Sequence, residues 1–255
     1  MIDIHSHILP GIDDGAQSYT DSIILAEKAL SEGIHTILAT PHHRNGKYEN
    51  VKEDILQRVE ELNKTFQEQG IALKVLPGQE TRIYGEMVED YRKGELLTLN
   101  NGSQYLFVEF PSSSVPGYAE RLLYDLQNEG LIPIIVHPER NAELMERPDK
   151  LYNLVKNGAT TQVTAASLTG YFGKNIQKFS QQMIEANLVH FIASDAHNVK
   201  NRTFKMAEAL EMTEKQYGID MVDYFIKNAE LLIEGKNIYK EIPERIKKKK
   251  FFGIF

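Results

Sequence analysis

The chain has 255 residues, 42% hydrophobic and 25% charged, enough for one large domain with a substantial core, and its formal charge of −7 argues against a broad nucleic-acid surface. It contains no cysteine, which excludes disulfides, thiolate metal sites and any cysteine nucleophile, so a bound metal must be held by nitrogen and oxygen. No basic leader or signal-type apolar segment opens the sequence and no run approaches the roughly 20 apolar residues of a membrane span, which predicts a cytoplasmic protein.

The first predicted strand reads Met1-Ile2-Asp3-Ile4-His5-Ser6-His7. Residues i and i+2 of a strand share a face, so His5 and His7 aim at one spot. Residues 18–33 follow as a helix whose apolar face is Ile23, Ile24, Ala26, Ala29 and Leu30, with Gly33 as its stop. A second strand at 36–40 leads into His42 and His43. A long helix at 49–69 carries Val51, Ile55, Val59, Leu62 and Phe66 at helical spacing, and a third strand occupies 73–76. The turn Asn100-Asn101-Gly102-Ser103 between apolar runs 96–99 and 105–108 predicts a hairpin leading into strand four. Helix 116–128, strand 132–136, helix 149–156, strand 160–165, helix 175–186, strand 189–193 and helix to about 232 complete the series. Seven β/α units predict a barrel, with an open doubly wound sheet as the alternative.

Ligand placement separates the two, because a barrel brings every strand end to one mouth while an open sheet gathers ligands at one switch point. The strand ends give, in order, His5 and His7, His42, Glu80, Glu109, His137, then Asp195 and His197. Six of the seven predicted strands thus end in a metal ligand, and five of the eight histidines are among them. That distribution points to a multinuclear metal site at a shared mouth.

The loop Pro10-Gly11-Ile12-Asp13-Asp14-Gly15 offers a further carboxylate, although a turn held by local hydrogen bonds accounts for it equally well. A phosphate ligand would need cations, and Arg140 stands three residues past His137, where a guanidinium can grip phosphate through two parallel hydrogen bonds. Arg202, Arg44 and Lys200 are weaker candidates.

The motifs Ile2-Asp3-Ile4-His5-Ser6-His7, Leu9-Pro10-Gly11-Ile12-Asp13-Asp14-Gly15, Thr40-Pro41-His42-His43, Gly78-Gln79-Glu80, His137-Pro138-Glu139-Arg140 and Ser194-Asp195-Ala196-His197 resemble those of the PHP (polymerase and histidinol phosphatase) superfamily. More closely, they resemble its bacterial protein-tyrosine phosphatase branch, the CpsB/CapC/YwqE type encoded with capsule or exopolysaccharide genes, over residues 1–202. The resemblance implies a distorted (β/α)7 TIM-like barrel, the PHP fold, with three divalent metal ions, usually manganese, though iron and zinc also suit nitrogen and oxygen ligands. It assigns the first metal to His5, His7, Glu80 and Asp195, the second to Glu80, Glu109 and His137, and the third to Asp14, His42 and His197. Its implied substrate is phosphotyrosine on a protein, above all a cognate bacterial tyrosine kinase.

Metals bridged by Glu80 would lower the pKa of a shared water enough to supply hydroxide near neutral pH, with Arg140 neutralising phosphate oxygens. A phenolate leaves with a conjugate-acid pKa of about 10, so little general acid is needed, and His43 or a metal-bound water is the candidate donor. Two other readings are a small-molecule phosphomonoesterase, such as a histidinol-phosphate phosphatase, and a phosphate-binding module with structural metals. The chain ends in a basic and aromatic tail at 247–255, which predicts a weak peripheral contact with anionic membrane or a solvated end.

Overall fold

The computed structural model describes residues 1–247; the tail residues 248–255 lie outside the described residues. The elements in chain order are β1 (Ile2–Ser6), α1 (Tyr19–Ser31), β2 (Thr36–Ala39), β3 (His42–His43), α2 (Lys52–Glu68), β4 (Lys74–Pro77), β5 (Glu80–Arg82), α3 (Met87–Arg92) and β6 (Tyr105–Glu109). They continue as α4 (Ala119–Asn128), β7 (Ile132–Val136), α5 (Ala142–Glu146), α6 (Pro148–Lys156), β8 (Thr160–Thr164), α7 (Ala165–Leu168), α8 (Lys174–Glu185), β9 (Phe191–Ala193), α9 (Met206–Tyr217) and α10 (Ile219–Ile233).

All strand pairs are parallel, in one sheet of order β1-β2-β4 and another of order β3-β5-β6-β7-β8-β9. Two breaks divide the sheets. Pro41, which has no N–H to add to a ladder, separates β2 from β3. Gly78 separates β4 from β5, packed so tightly that a Cβ there would stand 2.9 Å from Thr40 Cγ2 and from Leu99 Cδ2. Hydrogen bonds continue past both breaks, from Thr40 N to Ser6 O at 2.9 Å and from Glu80 N to Pro41 O at 3.0 Å. At the other side, a parallel bridge joins Ser6 to Ala196, with Asp195 N donating to His5 O and His7 N to Ala196 O, each at 2.9 Å.

The strands are apolar on both faces, as parallel strands covered on both sides require. Ile37, Val75, Leu106, Val108, Ile135 and Val163 pack against the helices, including Leu25, Ala26 and Ala29 of α1 and Ile55, Val59, Leu62 and Phe66 of α2. The alternate residues Leu38, Leu76, Tyr105, Phe107, Ile134 and Val136 form a second cluster, joined by Ala229 and Leu232 of α10.

The hairpin expected around Gly102 does not form. β6 lies between β5 and β7 and uses both its edges for parallel pairing, which leaves no edge for an antiparallel partner. Leu96, Leu97 and Leu99 are buried from a loop instead, and only Leu99 N donates back to Tyr105 O, at 2.9 Å. The single final helix also differs, since Gly218 at φ 89° separates α9 from α10.

One buried side-chain staple links the chain's first and last strands. Ser194 Oγ donates to Asp3 Oδ2 at 2.5 Å and Ser194 N donates to Asp3 Oδ1 at 2.9 Å. Burial lifts the Asp3 carboxyl to about 6 against the pull of those bonds. Replacing Ser194 with alanine strips a buried carboxyl of one partner and is expected to cost about 1–3 kcal/mol, read as a lower midpoint of urea unfolding with an unchanged slope.

Candidate metal centre

The C-terminal ends of the strands place the candidate ligands. β1 delivers His5, with His7 one residue beyond it; β3 carries His42, β5 begins with Glu80 and β6 ends with Glu109. His137 follows β7 with φ 37°, and Asp195 and His197 follow β9, with Asp195 at φ 52°. Parallel pairing sets His42 beside Glu80 in register.

Glu80 is fully buried at the middle of the cluster. Its Oε2 lies 3.5 Å from His5 Nε2, 3.4 Å from His7 Nε2 and 2.8 Å from His42 Nδ1, and its Oε1 lies 2.7 Å from His137 Nε2. Asp195 Oδ1 is 3.6 Å from His5 Nε2 and 3.4 Å from His7 Nε2. Asp14, from the loop after β1, puts its Oδ1 3.4 Å from His42 Nε2 and 3.3 Å from His197 Nε2. Three groups have donor atoms within 4.8 Å of one another: His5, His7 and Glu80; His42, Glu80 and Glu109; and His7, Asp14, His42 and His197. His137 and Asp195 stand outside these groups, against Glu80 and the His5/His7 pair.

Nitrogen lone pairs and carboxylate oxygens aimed at a common centre suit divalent cations, and the hydrogen bonding agrees. His5 Nε2, His7 Nε2, His42 Nδ1, His197 Nε2, Glu80 Oε2 and Glu109 Oε2 are all buried without a hydrogen-bond partner, a costly arrangement unless something else satisfies them. The opposite ring nitrogens are occupied. Nδ1–H donates to Gln162 Oε1 at 2.9 Å from His5, to Asp13 Oδ2 at 2.6 Å from His7 and to the Asp195 carbonyl at 2.9 Å from His197. Such outer bonds select the tautomer that leaves Nε2 free to ligate.

The charges diverge as crowded carboxylates must. Burial pushes Glu80 up, but His42 and His5 outweigh it and hold the carboxyl well below the usual range. Burial and then the negative charge of Glu80 push Glu109 up to about 7. Burial also works against Asp195, where Arg140 and His5 hold the carboxylate ionised. His137 is lowered to about 4 by burial and Arg140, and His197 to about 4 by burial and His7.

A cleft of about 340 Å³ opens beside the cluster, lined by His42, Glu109, His137 and three arginines, Arg82, Arg140 and Arg202. Arg140 Nη2 donates to Asp195 Oδ2 at 2.5 Å, while its buried Nε has no partner. Arg202 spans Asp195 Oδ2 at 3.2 Å and Asp14 Oδ2 at 3.4 Å. Arg82 was missed from the sequence; it donates to Glu109 Oε1 at 2.9 Å, and its place two residues after Glu80, on the same strand face, was the available signal.

His43 does not join the cleft. Neighbouring residues of a strand face opposite ways, so in two-residue β3 His42 takes the cluster side and His43 the other, buried near Arg44, where burial and that cation lower its pKa. Arg44 is turned away too, 3.2 Å from Asp90 and over the Tyr84 ring at 4.7 Å. Lys200 lines a different hollow.

Gly15 permits the loop to close on the cluster, for a Cβ there would lie 2.0 Å from the His7 carbonyl oxygen and 2.4 Å from His7 Cβ. Gly15→Ala is expected to destabilise the fold by about 3 kcal/mol, the upper part of the overpacking range, and to displace His7. Thermal unfolding and metal content of the purified variant check both effects.

An α/β protein of parallel sheets, with a candidate multinuclear metal centre at its strand ends, is the class that fold and site define. Within that class the chain belongs to the CpsB/CapC family of capsular polysaccharide synthesis, whose model matches residues 1–234. It is 51% identical to the tyrosine-protein phosphatase YwqE of Bacillus subtilis strain 168 over 255 residues, the whole of both chains. It is 30% identical to the tyrosine-protein phosphatase CpsB of Streptococcus pneumoniae over 239 residues, 91% of this chain and 98% of the relative. It superimposes with a TM-score of 0.95 and 50% identity on a crystal structure from the pair YwqE and CpsB, described as unique metal-dependent tyrosine phosphatases, covering 97% of this chain and 100% of the other. A phosphotriesterase homology protein from Escherichia coli shares the fold at a TM-score of 0.57 and 10% identity, over 88% of this chain and 94% of that one.

Proposed function

We propose that the protein is a metal-dependent protein-tyrosine phosphatase that hydrolyses phosphotyrosine on proteins, with a cognate bacterial tyrosine kinase as its substrate and capsule or exopolysaccharide synthesis as the process it regulates. The carrying observation is the set of six buried, unpartnered imidazole nitrogens and carboxylate oxygens beside a cleft with three arginines. The names of relatives 51% and 30% identical support the same reading. It acts in the cytoplasm; no helix among the described residues is long and apolar enough to cross a membrane.

The proposed architecture is a single-domain distorted (β/α)7 barrel. The bridge from Ser6 to Ala196 and the bonds that continue past Pro41 and Gly78 support closure of the two sheets into one ring. Around its mouth, His5, His7, Glu80 and Asp195 would hold one divalent cation, Glu80, Glu109 and His137 a second, and Asp14, His42 and His197 a third, with manganese expected and iron or zinc compatible. His7 also lies within reach of the third group. When bound, such cations supply a Lewis acid and a water acidic enough to deprotonate near neutral pH.

The chain's own groups do the remaining work. Arg140 and Arg202 are braced on Asp195, so their guanidinium groups meet phosphate oxygens without first losing rotamer freedom. Arg82 on Glu109 adds a third cation at the cleft wall. With a leaving-group pKa of about 10, the phenolate departs without a strong acid, consistent with His43 standing outside the cleft.

Phosphate release from a phosphotyrosine peptide tests the reading. Activity is expected to vanish on chelation, to return with manganese, and to fall by at least about a thousandfold in His5→Ala, the loss typical of a disabled activating group. Equal rates for wild type and His5→Ala would overturn it, and faster turnover of histidinol phosphate than of the peptide would favour the small-molecule reading. We also propose a weak contact of the 247–255 tail with anionic membrane, for which deletion should lower binding to phosphatidylserine vesicles at low salt; unchanged binding removes it.

A further inference from the structure

A second hollow, about 840 Å³, touches the same centre from the other side. Its walls include Asp14, Ala16, Ile24, Leu25, Tyr48 and Val199. Two contacts join it to the cleft with the three arginines. Arg202, which lines the cleft, bonds to Asp14, which lines the groove, and Tyr48 stacks parallel to His42, with ring centroids 6.2 Å apart and an interplanar angle of 7°. The two hollows therefore flank the candidate ligands, with Asp14 and His197 in the wall of this one and His42, Glu109 and His137 in the wall of the other.

The groove sets apolar side chains among polar ones, Gln17, Asp21, Asn198, Lys200 and Asn201. Ala16 and Leu25 are buried in its floor, while Ile24 of α1 and Val199 of the 198–201 loop stand 42% and 39% exposed in its walls. Both walls are held by local hydrogen bonds. Ser18 caps α1 by accepting from Asp21 N, and Asn198 Oδ1 accepts from the backbone N–H groups of Lys200 and Asn201, each at 2.9 Å. A preformed slot loses little entropy when something fills it.

We propose that this groove seats the polypeptide next to the phosphotyrosine, with an apolar side chain of the substrate packed between Ile24 and Val199. The inference rests on the phosphatase reading and adds the recognition that reading lacks: the arginine cleft takes the phosphate, and the groove selects a protein substrate by what flanks the modified tyrosine. Ile24 and Val199 are neither candidate ligands nor arginines of the cleft, so their contribution is separable from the chemistry.

Wild type, Ile24→Gln, Val199→Gln and the double variant are compared on free phosphotyrosine and on phosphotyrosine peptides with leucine or serine at the flanking positions. Wild type should prefer the leucine peptides, and each substitution should lower kcat/KM on them by about fivefold, with about twentyfold in the double variant and free phosphotyrosine unchanged within about twofold. Equal losses on free phosphotyrosine, no loss on the peptides, or no preference for leucine over serine in wild type would overturn the groove. A metal-loaded wild type inactive on free phosphotyrosine and on every phosphotyrosine peptide would instead overturn the phosphatase reading beneath it.

Discussion

Glu80 is a fully buried carboxylate facing four imidazoles, and the mouth of the protein is arranged to make that burial tolerable. An ionised carboxylate away from water is stable only when its charge is compensated, which a cation held between Glu80 Oε2 and the unpartnered imidazole nitrogens would do. The backbone provides for this locally: the break at Gly78 starts β5 at Glu80, and parallel register sets His42 beside it. The preceding Gln79 pins the segment, its Nε2 donating to Asn50 O at 2.8 Å and its Oε1 accepting from Leu97 N at 3.2 Å. A second layer, Asp13 and Gln162, then orients the rings that face Glu80.

The same economy governs charge in the cleft. A chain of formal charge −7 that admits a phosphate dianion needs a local reversal of sign. Arg140 and Arg202 on Asp195, and Arg82 on Glu109, supply it while also compensating the carboxylates they touch. Removing one of these arginines would therefore expose a buried acid as well as delete a proposed phosphate contact, so loss of activity alone would not separate the two roles.

Much of this was legible because metal ligands at strand ends leave a mark in the chain: an apolar run followed by histidine or a carboxylate, repeated. His5 to His7, His42 and His137 could be placed that way, and Ile55, Val59, Leu62 and Phe66 of α2 followed from helical spacing, whereas α1 buries Leu25 and leaves the expected Ile24 exposed, as is Val51 at the N-cap of α2. Pairing was harder to read. Leu96 to Leu99 has the composition of a strand, yet its burial comes from loop packing, because β6 already has neighbours on both edges. The two-residue strand β3 is too short for any periodicity to show, which hid the fact that His42 and His43 must part company there. Gln162 was invisible for another reason: its partner, His5, is 157 positions away.

The staple between Asp3 and Ser194 spans 191 positions of sequence. Chains dominated by contacts this distant fold slowly, because a long loop must close before its contacts stabilise it. Since His5 and His7 stand at one end of that loop and Asp195 and His197 at the other, the candidate groups that draw on both ends wait for its closure, whereas His42, Glu80 and Glu109 come from one shorter stretch of chain. A complete set of candidate ligands would then be a product of late folding.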